Sequence, residues 1–167
     1  MANSALQQHP IPPLFDADSR ILILGSFPSV KSREGQFFYH HPQNRFWRVL
    51  AAVLEEEVPA SIAEKTAFLH RNHIALWDVI GSCEIAGSSD SSIRNVVPND
   101  LSRIFQAAQI QAVFCNGSTS HRYYCRYAQA AAGMEAMALP STSPANAAWS
   151  LDRLAEKWKI IRQFTLV

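Results

Sequence analysis

Cysteine is scarce in this chain. The three residues Cys83, Cys115 and Cys125 form no CxxC pair and no even-numbered set, which excludes a disulfide framework. Too few thiols are present for an iron–sulfur cluster held by four cysteines. The histidines show no HExxH or related ligand spacing, and the adjacent His40 and His41 would point apart on most backbones, so no metal is expected. GxGxxG and GxxxxGKS phosphate loops are missing, as is a GxSxG nucleophile elbow, and no cofactor is expected. No apolar stretch approaches ~18 residues, which argues against a membrane-spanning helix. The N-terminus lacks a basic region followed by an apolar one. Reduced thiols without a secretory signal point to the cytoplasm.

Neither sign of charge is in excess. The net charge is +1, so an anionic partner would have to be met by local cations rather than by a bulk field. Lys31 with Arg33, Arg45 with Arg48, and Arg122 with Arg126 are candidates, and each pair reads equally well as solvated surface. Charged residues are only 17% of the chain, below the usual ~25%, so a compact fold without a charge-rich tail is expected. At 167 residues the chain is one domain by size.

The apolar runs that are present are short. His9-Pro10-Ile11-Pro12-Pro13 marks residues 1–19 as an extended leader ahead of a single domain at 20–167. Ile21-Leu22-Ile23-Leu24, closed by Gly25, reads as a strand buried on both faces. Residues 26–43 have no periodicity and read as a long functional loop. From Asn44, apolar residues at 46, 49, 50, 53 and 54 predict a helix, and a second is expected near 61–72. Residues 73–77 read as a strand and the Gly- and Ser-rich stretch 81–90 as loop. Asp100 would cap the next helix. Residues 112–115 form a strand closed by Asn116-Gly117, a helix follows across 121–132, and 137–139 is a fourth strand. A last helix near 147–162 puts Leu151, Leu154, Ala155, Trp158 and Ile161 on one face.

This alternation implies a three-layer α/β/α sandwich around a central, mainly parallel four-stranded sheet. In such sheets ligands bind beyond the carboxyl ends of the strands. Three strand ends carry unusual polar sequence: Gly25-Ser26-Phe27-Pro28, Asp78 through Ser82, and Pro140-Ser141-Thr142-Ser143-Pro144. They span most of the chain, yet the fold would gather them at one edge. Tyr39, beside two histidines and a proline, is hard to bury and is a candidate for stacking on a nucleobase.

Gly-Ser-Phe-Pro after an apolar strand resembles the first motif of the uracil-DNA glycosylase superfamily. His41-Pro42-Gln43-Asn44-Arg45-Phe46-Trp47 is similar to the start of a helix in the mismatch-specific members. Leu139-Pro140-Ser141-Thr142-Ser143-Pro144-Ala145-Asn146 resembles the second motif in its Ser-Thr-Ser-Pro form. That combination is similar to the hypoxanthine-DNA glycosylase branch, as are Leu76-Trp77-Asp78-Val79-Ile80, Cys83-Glu84 and Gly87-Ser88-Ser89-Asp90. The resemblance covers residues 20 to 162. Two features depart from the wider pattern: Ser26 and Phe27 stand where other branches carry Asp or Asn, and the second motif has no histidine.

The resemblance implies a DNA repair glycosylase, expected to work without metal and as a monomer. It would flip a deaminated base, chiefly hypoxanthine, out of DNA and hydrolyse its N-glycosidic bond. It assigns the essential catalytic role to Asn44, which by local sequence is also a good helix N-cap. An amide has no useful pKa, so Asn44 would position a water or donate to the purine. Ser26, Phe27, Tyr39, Asp78 and Ser82 are the expected base-binding residues, with a loop-pinning role for Asp78 left open. Ser141, Thr142, Ser143, Pro144, Ala145 and Lys31 are expected at the DNA, although Ser-Thr-Ser-Pro is also an ordinary turn. The alternatives are a uracil glycosylase acting on G·U pairs and a catalytically inactive nucleic-acid-binding module.

Overall fold

A computed structural model describes residues 4–165. The elements begin with strands β1 (Ala5–Gln8) and β2 (Ile21–Gly25), then helices α1 (Val30–Gly35), α2 (Phe46–Leu54) and α3 (Ile62–Arg71). Strands β3 (Ile74–Asp78), β4 (Ile80–Ile85) and β5 (Arg94–Pro98) lead to α4 (Ser102–Ala107), β6 (Ala112–Asn116) and α5 (Ser118–Tyr127). The last described elements are α6 (Gln129–Ala132), β7 (Ala136–Leu139), α7 (Leu151–Trp158) and α8 (Arg162–Thr165). Among the described residues no helix is long and apolar enough to cross a membrane.

The central sheet has strand order β3-β2-β6-β7, and every neighbouring pair is parallel. Successive side chains on a strand point to opposite faces. All five residues of β2 and of β3 are buried, so helices cover both faces, as the three-layer expectation requires. Phe46, Phe68, Phe114 and Trp158 are fully buried, each contributing roughly 1.5–3 kcal/mol of apolar burial. Ser61 and Ser150 cap α3 and α7, accepting hydrogen bonds from the N–H groups of Glu64 and Arg153.

Three stretches differ from the sequence reading. The run 81–90, expected as loop, is strand as far as Ile85. With β1 and β5 it builds a second, antiparallel sheet of order β1-β4-β5. Its pairing with β5 shifts register between Ile80 and Ser82 and again between Ser82 and Glu84, and such bulges break the alternation that marks a strand in sequence. The loop at 26–43 contains α1, which buries only Ser32 and so shows no apolar period. The leader is woven into the domain: Ala5–Gln8 pairs with β4, and Leu14 exchanges backbone hydrogen bonds with Leu76 on the outer edge of β3. An edge covered in this way is protected from pairing with other chains.

Candidate active site

Because the four central strands are parallel, their carboxyl ends share one edge. The register places Gly25 opposite Asp78, Leu24 opposite Cys115, and Asn116 opposite Leu139. Asp78 and Asn116 therefore flank the end of β2 at the place where α/β sheets bind ligands. Gly25 is required by a close approach: a Cβ there would lie 2.3 Å from Asp78 Oδ1 and 3.2 Å from the Tyr39 hydroxyl.

Asp78 is only 4% exposed and is held from the N-terminal segment. His9 Nδ1 accepts the Ile11 N–H at 3.2 Å, so the ring proton belongs on Nε2, which donates to Asp78 Oδ2 at 2.7 Å. The imidazole is wedged edge-on against Phe27 and Trp77. A hydrogen bond to a charged group contributes about 1.5–3 kcal/mol. His9→Ala is expected to lower unfolding free energy by about that amount in a urea titration; an unchanged midpoint would make residues 4–15 a dispensable arm.

Asn44 lies at the centre of a polar network whose directions are fixed. Its Oδ1 accepts the Phe46 N–H at 3.0 Å and the Thr142 hydroxyl at 2.8 Å. A backbone N–H can only donate, so the carboxamide cannot be flipped. Thr142 Oγ1 accepts from Asn116 Nδ2 at 3.0 Å, and Asn116 Oδ1 accepts the Thr142 N–H at 3.0 Å. Both lone pairs of Asn44 Oδ1 are thus committed, and its free hydrogen-bonding capacity is the donor pair on Nδ2. Only the oxygen serves the start of α2, where it holds the Phe46 N–H beside the N-cap residue Arg45.

The loop after β7 is tied to the same helix start. The Arg45 guanidinium donates to the carbonyls of Ser143 (3.3 Å), Asn146 (3.0 Å) and Trp149, and the Arg45 N–H donates to Thr142 O at 3.1 Å. Trp158 Nε1 donates to Pro140 O at 2.9 Å. Within the loop, Ser143 N–H donates to Ser141 Oγ and Ala145 N–H to Ser143 Oγ. Pro144 and Ala145 are left exposed at its tip.

These parts enclose a cavity of about 350 Å³, within the range of small-ligand sites. Ser26, Phe27, Tyr39, Asn44 and Asp78 line it, and so do Ser141 through Ala145. Residues as far apart in sequence as Gly25 and Ala145 therefore meet in one place. A groove of about 570 Å³ adjoins it, sharing Asp90, Ser141, Ser143 and Ala145 and adding Ser118, Trp149 and Lys157.

Not every expected site residue is there. Ser82 sits within β4, paired with Gln8 and Val97, and is not part of the cavity wall. Lys31 is on exposed α1 beside Glu34, 3.8 Å away, and lies outside both cavity and groove. Thr142 is fully buried, so it clamps Asn44 to Asn116 rather than meeting a phosphate. Arg45 is turned inward to carbonyls, and Arg33 donates to Pro28 O and Gly87 O. His9, Asn116 and Asp90 were missed. Asn116 had a readable signal, a polar residue closing an apolar strand as Asp78 does. His9 had none, since its partner lies 69 residues away.

Tyr39 has a left-handed backbone (φ 49°), uncommon for a non-glycine residue. Its ring stacks on Phe46 with centroids 4.0 Å apart. The residue also lines the cavity. Burial, reinforced by the Asp78 charge, pushes its hydroxyl pKa far up, so it stays a neutral phenol. Burial also pushes the Cys83 and Cys115 thiols up to about 11 and about 12, which makes both poor nucleophiles.

A parallel α/β sandwich whose strand ends close on a cavity lined by Asn44 and Asn116 defines a class of enzyme-like ligand-binding domain. The chain belongs to the uracil DNA glycosylase superfamily, whose family profile matches residues 12–165. It is 34% identical to a hypoxanthine DNA glycosylase of Methanosarcina acetivorans over 152 residues, covering 90% of this chain and 94% of that protein. It is 33% identical to the hypoxanthine DNA glycosylase of Methanosarcina barkeri over 143 residues, 84% and 89% of the two chains. A solution NMR structure from Methanosarcina acetivorans, described under uracil DNA glycosylase, superposes with a TM-score of 0.80 at 31% identity. That match covers 94% of this chain and 96% of the other.

Proposed function

We propose that this chain is a monofunctional DNA glycosylase that flips deaminated bases, chiefly hypoxanthine, out of DNA and hydrolyses the N-glycosidic bond. The observation that carries the reading is the Asn44 carboxamide, whose oxygen is committed to two donors and whose Nδ2 is left to act in the cavity. Relatives similar over most of their length bear the name hypoxanthine DNA glycosylase.

Breaking the bond between C1′ and N9 leaves negative charge on the purine. A preorganised donor stabilises that charge without reorganising during the reaction. Asn44 Nδ2 donates to the departing base; its oxygen has no lone pair left with which to orient a water. Hypoxanthine helps, because its oxo group spreads the charge. Phe27 and Tyr39 supply flat walls. Asp78 Oδ1 accepts the N1–H of hypoxanthine. Adenine presents a lone pair at N1 instead, and a buried acceptor facing a lone pair rejects it.

Ser141 and Ser143 hydroxyls meet the DNA backbone, and Pro144 with Ala145 fill the gap left by the flipped nucleotide. The groove past Lys157 takes the flanking strand. The protein works as a monomer on DNA in the cytoplasm.

A panel of DNA strands carrying inosine, uracil or xanthine, assayed in chelator, tests this function. Release of free hypoxanthine is expected to be the fastest reaction. Equal or faster release of uracil from G·U pairs would favour the uracil reading. Binding to all strands without release of any base would favour an inactive module.

A further inference from the structure

The hydrolysis proposed above needs a group that takes a proton from the attacking water. Asn44 has no basic atom to spare. His41 lines the cavity, but its Nδ1 accepts the Gln43 N–H at 3.1 Å. That bond leaves the ring proton on Nε2, a donor. The cavity holds two carboxylates, Asp78 and Asp90. Asp78 is buried under His9.

Asp90 is differently placed. It stands at the cavity mouth and borders the adjoining groove as well. Its Oδ1 accepts the Ser26 hydroxyl at 3.0 Å, across 64 residues of sequence, which leaves Oδ2 free. The segment that carries it is pinned over the end of β2. The Val30 N–H donates to Ser88 Oγ at 2.9 Å and Arg33 Nη2 to Gly87 O at 3.1 Å. The Gly87-Ser88-Ser89-Asp90 stretch is therefore a mount that aims a carboxylate at the cavity.

We infer that Asp90 is a catalytic residue of the glycosylase reaction proposed here: its carboxylate orients the attacking water and takes its proton. The inference rests on that reading of the site. The C1′–N9 bond breaks and its electron pair passes to the base. The water oxygen bonds to C1′ and one water proton passes to Asp90, then to solvent or to the released base. The products are free hypoxanthine and an abasic deoxyribose.

The local electrostatics suit this role. The residue is exposed as a whole, but its carboxyl group is shielded at the cavity mouth, and that burial raises its pKa. The Asp78 charge raises it further, while the Ser26 bond and Arg122 oppose the rise. Lys157 shares the groove wall with it. A carboxylate with raised pKa is a better proton acceptor near neutrality.

Single-turnover excision from an inosine duplex, followed from acid to neutral pH at saturating enzyme, tests the role. The wild-type rate is expected to fall toward acid, as Asp90 is protonated below its raised pKa. Asp90→Asn is expected to be slower by on the order of 10²-fold, to lose that acid limb, and to bind an abasic-site duplex as tightly as wild type. Ser26→Ala removes a bond favouring the charged form, so its limb should move to higher pH. An Asp90→Asn rate within a few fold of wild type would overturn the assignment. So would a slow variant that keeps the limb, or one that loses DNA affinity along with rate. Absence of hypoxanthine release from wild type removes the glycosylase reading itself, and this role with it.

Discussion

Asn44→Ala is expected to slow hypoxanthine excision by about 10²–10³-fold, the usual cost of removing one preorganised donor. The same change leaves the Phe46 N–H and the buried Thr142 hydroxyl without an acceptor, at about 1–3 kcal/mol of stability. Excision and thermal unfolding should therefore be measured together, with activity read well below the melting temperature. Asn44→Asp separates the two possible jobs of the side chain. It keeps an oxygen for Phe46 and Thr142, restores the packing, and puts an anionic acceptor in place of the donor. Donation to the leaving base makes this variant as slow as alanine. An aspartate variant that excises at the wild-type rate would assign residue 44 to handling water instead.

Arg45→Ala is expected to uncouple the loop after β7 from α2. Three carbonyls lose one shared cationic donor. Water can replace it at this half-exposed position, so the loss should be about 2–3 kcal/mol rather than a full sum of three bonds. The functional loss should be larger in proportion. If Ser141, Ser143 and Pro144 meet DNA as proposed, they would no longer be held in place, and affinity should fall at least about tenfold, or about 1.4 kcal/mol. Arg45→Lys should not rescue it, because one ammonium cannot reach three carbonyls that a planar fork spans. Equal DNA affinity in both variants and wild type would show that the loop holds its own shape.

The central sheet was legible because its strands obey local rules. Ile21–Leu24 and Ala112–Cys115 are apolar runs, closed by Gly25 and Asn116, and a strand buried on both faces needs no alternation. Their parallel order followed from the intervening helices, and with it the gathering of strand ends into one site. The second sheet was illegible for the opposite reason. β4 buries Ile80, Cys83 and Ile85, a spacing that two register shifts take out of the two-residue period, and its glycine and serines read as loop. Asn44 was found through resemblance; locally it reads as a cap, and its bond to Thr142 spans 98 residues. His9 depends wholly on such a long-range contact, and Asp90, though it stands in a stretch that carries the resemblance, gains its place at the cavity only through the bond to Ser26. Thr142 shows the reverse error: a hydroxyl in a turn-like motif reads as surface, but pairing with Asn116 takes it into the interior.

The most direct measurement is the structure of the protein bound to a duplex carrying 2′-fluoro-arabino-inosine, in which the glycosidic bond resists cleavage. The hypoxanthine is expected outside the helical stack, in the cavity beside Tyr39, with Asn44 Nδ2 within about 3.2 Å of a purine acceptor and Asp78 facing N1. An inosine still stacked in the duplex, or lodged away from Asn44, would contradict the site.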